Sequence, residues 1–259
     1  MTSETTAGLS IEEVVGELAK LPGSVNLSNL GPGTRLYDPG DASDHVYLLR
    51  SGYVKLYRLG RGGKHCIFGV VEEGQLFGEG ALLGEKQRRA VAEVLEKASV
   101  TMIPREAVAA YVAEHPAFWQ VFAPFLGRKI QLLEEQLQWL CFLDVEQRLA
   151  RLLLQWAESA RRPAGAEGEP QIRLSQKELA GLVGATRETT SSALNRLQRA
   201  GCLEIGRRRL MIRSIEKLAQ FANAGAIGEG EEAAPGSDDG TPAAGSAAAL
   251  EKSQNARAG

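Results

Sequence analysis

The sequence predicts an α+β protein in three parts. These are an N-terminal antiparallel β-roll of jelly-roll type, a long dimerisation helix and a C-terminal winged helix-turn-helix. Three observations predict it. Short apolar runs alternate with turn residues from about position 23 to 104. A heptad seam follows, with apolar residues in alternating steps of four and three. Finally, two short helical patterns separated by one glycine lie at 174–197, ahead of an arginine-rich hairpin. The corresponding boundaries are an unstructured N-terminus at 1–10, the β-roll at 11–115, the dimerisation helix at 116–141, the winged helix at 142–222 and a disordered tail at 223–259.

Charge supports this division. The 259 residues carry a net charge of −2. By segment this is −3 for 1–143, +5 for 144–222 and −4 for 223–259. The positive charge thus gathers around the helix-turn-helix, as phosphate contacts require. Cys66, Cys141 and Cys202 are far apart without a CxxC pair. That spacing argues for a reducing compartment and against a disulfide frame or zinc ribbon. No apolar run is long enough to cross a membrane, and MTSETTAGLS lacks a secretory pattern. The expectation is a cytoplasmic protein with no membrane partner.

In chain order, Ile11, Val14, Val15, Leu18 and Leu21 define a short amphipathic helix. The runs at 46–49, 53–59, 66–71, 91–95 and 99–103 read as separate strands. Turns are expected at 38–41, 51–52, 60–63 and 73–74. Strand spacings near ten residues imply an antiparallel sandwich or barrel. The stretch FGEGALLGEKQRRAV (77–91) interrupts them with a glycine-rich loop, a short helix and two arginines. Amides at a helix start plus a guanidinium suit a phosphate; a solvated β-roll corner is the plainer alternative. His65 beside Cys66 reads as an exposed histidine next to a core cysteine, because neighbours on a strand face opposite sides.

Helices are expected over 105–114 and from 116 onward. The seam runs through Leu126, Ile130, Leu133, Leu137 and Leu140, preceded by Trp119 and Ala123. Pro124 is expected to kink or restart the helix. A seam this long suggests pairing between two subunits. A further amphipathic helix covers 145–160, and RRPAGAEGEP (161–170) reads as an exposed loop.

The stretch LSQKELAGLVGATRETTSSALNRL (174–197) carries a capping box, Ser175 with Glu178. Gly184 supplies the turn, and Thr186 caps the second helix. Ala193, Leu194 and Leu197 face inward. Arg187, Glu188, Ser191, Ser192 and Asn195 face outward with groups that can hydrogen-bond base edges. Ser175, Gln176, Lys177, Thr189 and Arg207 are phosphate-contact candidates, with Thr186 at the same helix start. The hairpin CLEIGRRRLMI (202–212) is expected to turn at Gly206-Arg207, as a wing along the phosphate backbone. A short closing helix ends the ordered part.

Taken together, PGD (39–41), SGYV (51–54), the FGE cassette ending in arginine, FLDV (142–145) and the VGATRET turn resemble the CRP/FNR family of bacterial transcription regulators. The resemblance spans about residues 12 to 222. It implies a cyclic-nucleotide-binding-type sensor, with Gly78, Glu79, Gly80, Ala81, Arg89 and Ala90 as the effector contacts. Glu79 would grip a ribose and Arg89 a cyclic phosphate. It also implies a homodimer on a palindromic double-stranded operator, with RNA polymerase as a candidate partner.

Departures from the family pattern matter. The family's bacterial cAMP receptor has serine where Ala90 stands, and Thr-Ser where Leu133 and Glu134 stand. The implied effector is therefore cAMP or another nucleotide, with effector-independent binding as the alternative. Ser192 replaces the last arginine of the family's R-E-x-x-x-R reader. Iron–sulfur and haem ligand patterns are missing, and the scattered His45, His65 and His115 do not form a metal set. An enzyme is not expected.

Overall fold

The computed structural model describes residues 10–60, 64–160, 171–172, 174–206 and 209–224. All fall in one compact unit, Met1–Gly225. The expected tail lies almost wholly outside the described residues, as do Arg207 and the 161–170 loop.

Helix α1 (Ile11–Leu18) starts at Ser10, whose hydroxyl and Glu13 form a reciprocal cap. Val14, Val15 and Leu18 are its buried face. The β-roll follows: β1 (Val25–Leu30), β2 (Arg35–Tyr37), β3 (His45–Leu59), β4 (His65–Val71), β5 (Leu76–Phe77) and β6 (Val91–Pro104). All pairings are antiparallel, in the order β1-β6-β3-β4, with β2 also on β6 and β5 on β3.

Two expected breaks do not occur. The runs at 46–49 and 53–59 form one strand, and so do 91–95 and 99–103. Ser51-Gly52 is a bulge inside β3 rather than a turn between strands. Gly52 takes φ +85°, and a Cβ there would sit 2.4 Å from the Lys97 carbonyl oxygen. Only glycine fits a left-handed backbone pressed this close to a neighbouring strand. The bulge bends the strand without ending the ladder.

Helix α2 (Arg105–Glu114) leads to α3 (Phe118–Phe142), which runs through Pro124 without restarting. Phe118 and Phe122 stack at 4.9 Å and pack with α1, Val46, Leu48 and Ile103. Burying these two rings fixes the start of α3 on the β-roll. Further along, the helix leaves the domain. Ile130, Leu133, Leu137 and Leu140 are 48–61% exposed. Leu126, the first expected seam residue, instead packs partly buried against the α1 cluster.

The C-terminal domain contains α4 (Val145–Ala160), β7 (Gln171–Ile172), α5 (Gln176–Val183), α6 (Arg187–Arg199), β8 (Leu203–Gly206), β9 (Arg209–Ile212) and α7 (Ile215–Asn223). Its core joins Leu149 and Leu153 of α4 to Leu179, Leu194, Leu197, Cys202, Leu210 and Leu218. The wing pairs Gly206 with Arg209, so Gly206 belongs to the ladder and not to the turn expected at Gly206-Arg207. Among the described residues, no helix is long and apolar enough to cross a membrane.

Candidate nucleic-acid interface and effector cassette

The two helices of the reader are locally determined. The Ser175 hydroxyl accepts from the Glu178 N–H, and Glu178 Oε2 accepts from the Ser175 N–H at 2.9 Å and its hydroxyl at 2.7 Å. Gly184 ends α5 at φ +65°, and a Cβ there would lie 2.7 Å from Leu140 Cδ2. Thr186 caps α6 by accepting from the Thr189 N–H. Thr190 is buried and donates to the Thr186 carbonyl at 2.9 Å.

This capping leaves one open face. Arg187, Glu188, Ser192 and Asn195 are exposed and Ser191 is half-buried, while Ala193, Leu194 and Leu197 are buried beneath them. Ser192 Oγ donates to the Glu188 carbonyl, which keeps its short side chain close to the helix. The Glu188 carboxyl is held below its ordinary value, by a backbone amide at the helix start and by Thr186. It is therefore an ionised acceptor, the form that pairs with a cytosine amine. Lys177 is exposed, and Ser175 and Gln176 are half-buried, at the start of α5. Thr189 is exposed, with its hydroxyl 3.0 Å from that of Thr186.

In the β-roll, Gly78 takes a left-handed conformation before a 3₁₀ turn, Glu79–Leu83. The two arginines then separate. Arg88 is buried: one guanidinium nitrogen donates to the Gly78 carbonyl at 2.9 Å and another to the His45 carbonyl. Its plane lies over the rings of Tyr37 and Tyr47, at 4.5 and 5.6 Å. Its Nε is buried with no acceptor among the described residues. Burial raises the Tyr37 hydroxyl pKa against the opposing pull of Arg88. Arg89 points outward, 77% exposed, with Nε 3.7 Å from Glu85.

The remaining cassette residues are close by. Ala81 is buried, and Gly80 and Ala90 are half-buried. The Glu85 carboxylate lies so near Gly80 that a Cβ there would meet it at 2.2 Å. Glu79 is tied to the long helix, for Lys129 Nζ donates to its Oε1 at 2.6 Å.

Three features of the site are not legible in the sequence. Lys129 carried no signal, because a lysine beside a heptad seam looks like an ordinary solvated flank. Arg88 was indistinguishable from Arg89, since adjacent residues take opposite directions that only the loop decides. Lys55 sits in the run YVKLYRL as if on its wet face, yet it is 6% exposed. The His65–Cys66 expectation is reversed: Cys66 is exposed, and His65 stacks on Tyr57 at 4.6 Å. The bulge between Leu56 and Tyr57 in the β3–β4 register shifts which side chains face out.

A β-roll with a glycine-glutamate-arginine cassette, continued by a long helix into a winged helix-turn-helix, is the architecture of a sensor-linked transcription regulator. Residues 27–115 match the cyclic nucleotide-binding domain, and 147–221 match the Crp-like helix-turn-helix domain. The chain is 30% identical over 190 residues to the cyclic AMP receptor protein of Thermus thermophilus, covering 73% of this chain and 85% of that protein. It is 27% identical, with the same coverage, to the CRP-like cAMP-activated global transcriptional regulator of Mycobacterium tuberculosis. A c-di-GMP responsive global regulator of Xanthomonas campestris superposes with a TM-score of 0.66 at 22% identity, covering 78% of this chain and 99% of that one. This chain belongs to the CRP/FNR family of transcription regulators.

Proposed function

We propose that the protein is a homodimeric regulator that reads a palindromic operator under the control of a nucleotide bound in the β-roll. The observation that carries this reading is the Glu79–Lys129 ion pair. It connects the cassette directly to α3, the helix whose exposed seam of Ile130, Leu133, Leu137 and Leu140 would pair two subunits. A ligand that competes for Glu79 acts on the position of that helix. Coupling between two sites requires such an element with two arrangements.

In this reading Gly78, Glu79, Gly80, Ala81, Arg89 and Ala90 receive the effector, and a cyclic nucleotide such as cAMP is the first choice. Relatives named for cyclic AMP and for c-di-GMP support the nucleotide class. Arg187 reads guanine and Glu188 cytosine, while Ser191, Ser192 and Asn195 line the same face. Ser175, Gln176, Lys177, Thr186, Thr189 and Arg207 hold phosphates. The protein works in the cytoplasm, with RNA polymerase as a further partner.

A specific observation favours a second reading, effector-independent binding. Three charged cassette groups already have internal partners: Glu79 has Lys129, Arg89 has Glu85, and Arg88 has two carbonyls. Titrating cAMP, cGMP and buffer alone while measuring operator affinity separates the two. A nucleotide-dependent rise supports the first reading, and an unchanged affinity throughout supports the second.

A further inference from the structure

The face of α5 opposite the DNA reader is docked on the β-roll. Gly181 lies against β4, where a Cβ would be 3.0 Å from Ile67 and 3.1 Å from the His65 carbonyl oxygen. Leu182 packs on Tyr57, Ile67 and Val91. Beside this apolar contact, Lys55 of β3 reaches Glu93 Oε1 at 2.8 Å on β6 and Glu178 Oε1 at 3.1 Å on α5. The lysine side chain is only 7% exposed. Glu178 thus does two things with one carboxylate. Oε2 caps the helix that presents Ser175 and Lys177, and Oε1 ties that helix to the sensor domain.

We propose that Lys55 is a positioning residue for DNA recognition. It fixes the angle of the helix-turn-helix on the β-roll, and thereby the distance between the two half-sites that a dimer reads. A buried ammonium needs compensating charge and hydrogen bonds, so its two partners sharply restrict where α5 can sit. The device is reversible. If α5 leaves, Lys55 keeps Glu93 within its own domain and regains water, while Glu178 keeps its cap. Neither domain is left with an unpaired buried charge. The docked and undocked arrangements are then two discrete states, which a signal passing through α3 can bias. Leu140 of α3 touching the Gly184 turn places the end of that helix at the same junction.

This inference rests on the dimeric operator reading. The test uses the full-length protein and operators whose half-sites are separated in one-base-pair steps around one helical turn, about 10 base pairs. Wild type is expected to lose about tenfold in affinity for a one-base-pair change in spacing, a typical penalty for one unfavourable position. Lys55→Met flattens that preference to about threefold or less, with binding to a single half-site unchanged, and Lys55→Arg restores it. Glu178→Gln, which keeps the capping box because glutamine serves at that position, flattens it as well. Spacing profiles like wild type in both variants overturn the proposal. So does a loss of single-half-site affinity with the profile intact, which marks a merely structural role. A wild-type protein without any spacing preference sinks the dimeric reading instead. Lys55 is then judged by hydrogen exchange alone: α5 amides exchanging about tenfold faster in Lys55→Met uphold its docking role, and unchanged rates refute it.

Discussion

Ser192→Arg is the substitution that most directly tests how α6 reads DNA. Ser192 lies four residues beyond Glu188, one turn along the same exposed face. Among the described residues its hydroxyl bonds only to the Glu188 carbonyl, an oxygen already within the helix ladder, so losing it costs about 0.5 kcal/mol or less. Arginine has a better helix propensity than serine, which offsets part of that loss. Folding stability is therefore expected to stay within about 0.5 kcal/mol. The change is read in DNA binding. An arginine here can grip guanine O6 and N7, an interaction giving about 1–3 kcal/mol of discrimination, or roughly 5- to 150-fold. The assay is fluorescence anisotropy on operators that carry guanine or each other base at the corresponding half-site position, at fixed salt. Wild type is expected to be nearly indifferent there and Ser192→Arg to prefer guanine by at least about fivefold. If the preferences of the two proteins coincide, α6 does not face the groove with this register.

Three other predictions follow from the packing and charges. Leu194→Ala removes a fully buried side chain from the winged-helix core and is expected to cost about 2–5 kcal/mol, seen as a lower urea midpoint for that domain. Lys129→Met unties Glu79 from α3; the ratio of operator affinities with and without cAMP is expected to shrink at least about fivefold, a change of roughly 1 kcal/mol in coupling. An unchanged ratio would show that the pair transmits nothing. Burial raises the carboxyls of Glu93 and Glu178, but hydrogen bonds and the Lys55 charge outweigh it, so both lie below the ordinary 4.5. Their stabilisation is complete above 4.5 and is lost as pH falls through the lower folded values. Acid unfolding is therefore expected to be less steep below about pH 4.5 in Glu178→Gln than in wild type.

Features that depend on near neighbours along the chain can be read directly from the residues. The caps at Ser175 and Thr186, the Gly184 turn and the inward Ala193-Leu194-Leu197 stripe are local, because helix ends and 3.6-residue periodicity are decided within a few residues. Hence the reader helix and its exposed face were legible, as was the apolar seam of α3. The single long strands β3 and β6 were not. A positive-φ glycine marks a turn and a bulge equally well, and only the partner strand at Lys97–Ala98 distinguishes them.

Which charges meet depends on the folded arrangement of distant segments. Lys55 and Glu178 are 123 residues apart, and Lys129 and Glu79 are 50 apart. Arg88 and Arg89 are adjacent, yet one is buried on tyrosine rings and the other faces water. Coulomb energy and desolvation depend on distance and burial, which the fold sets and sequence separation does not.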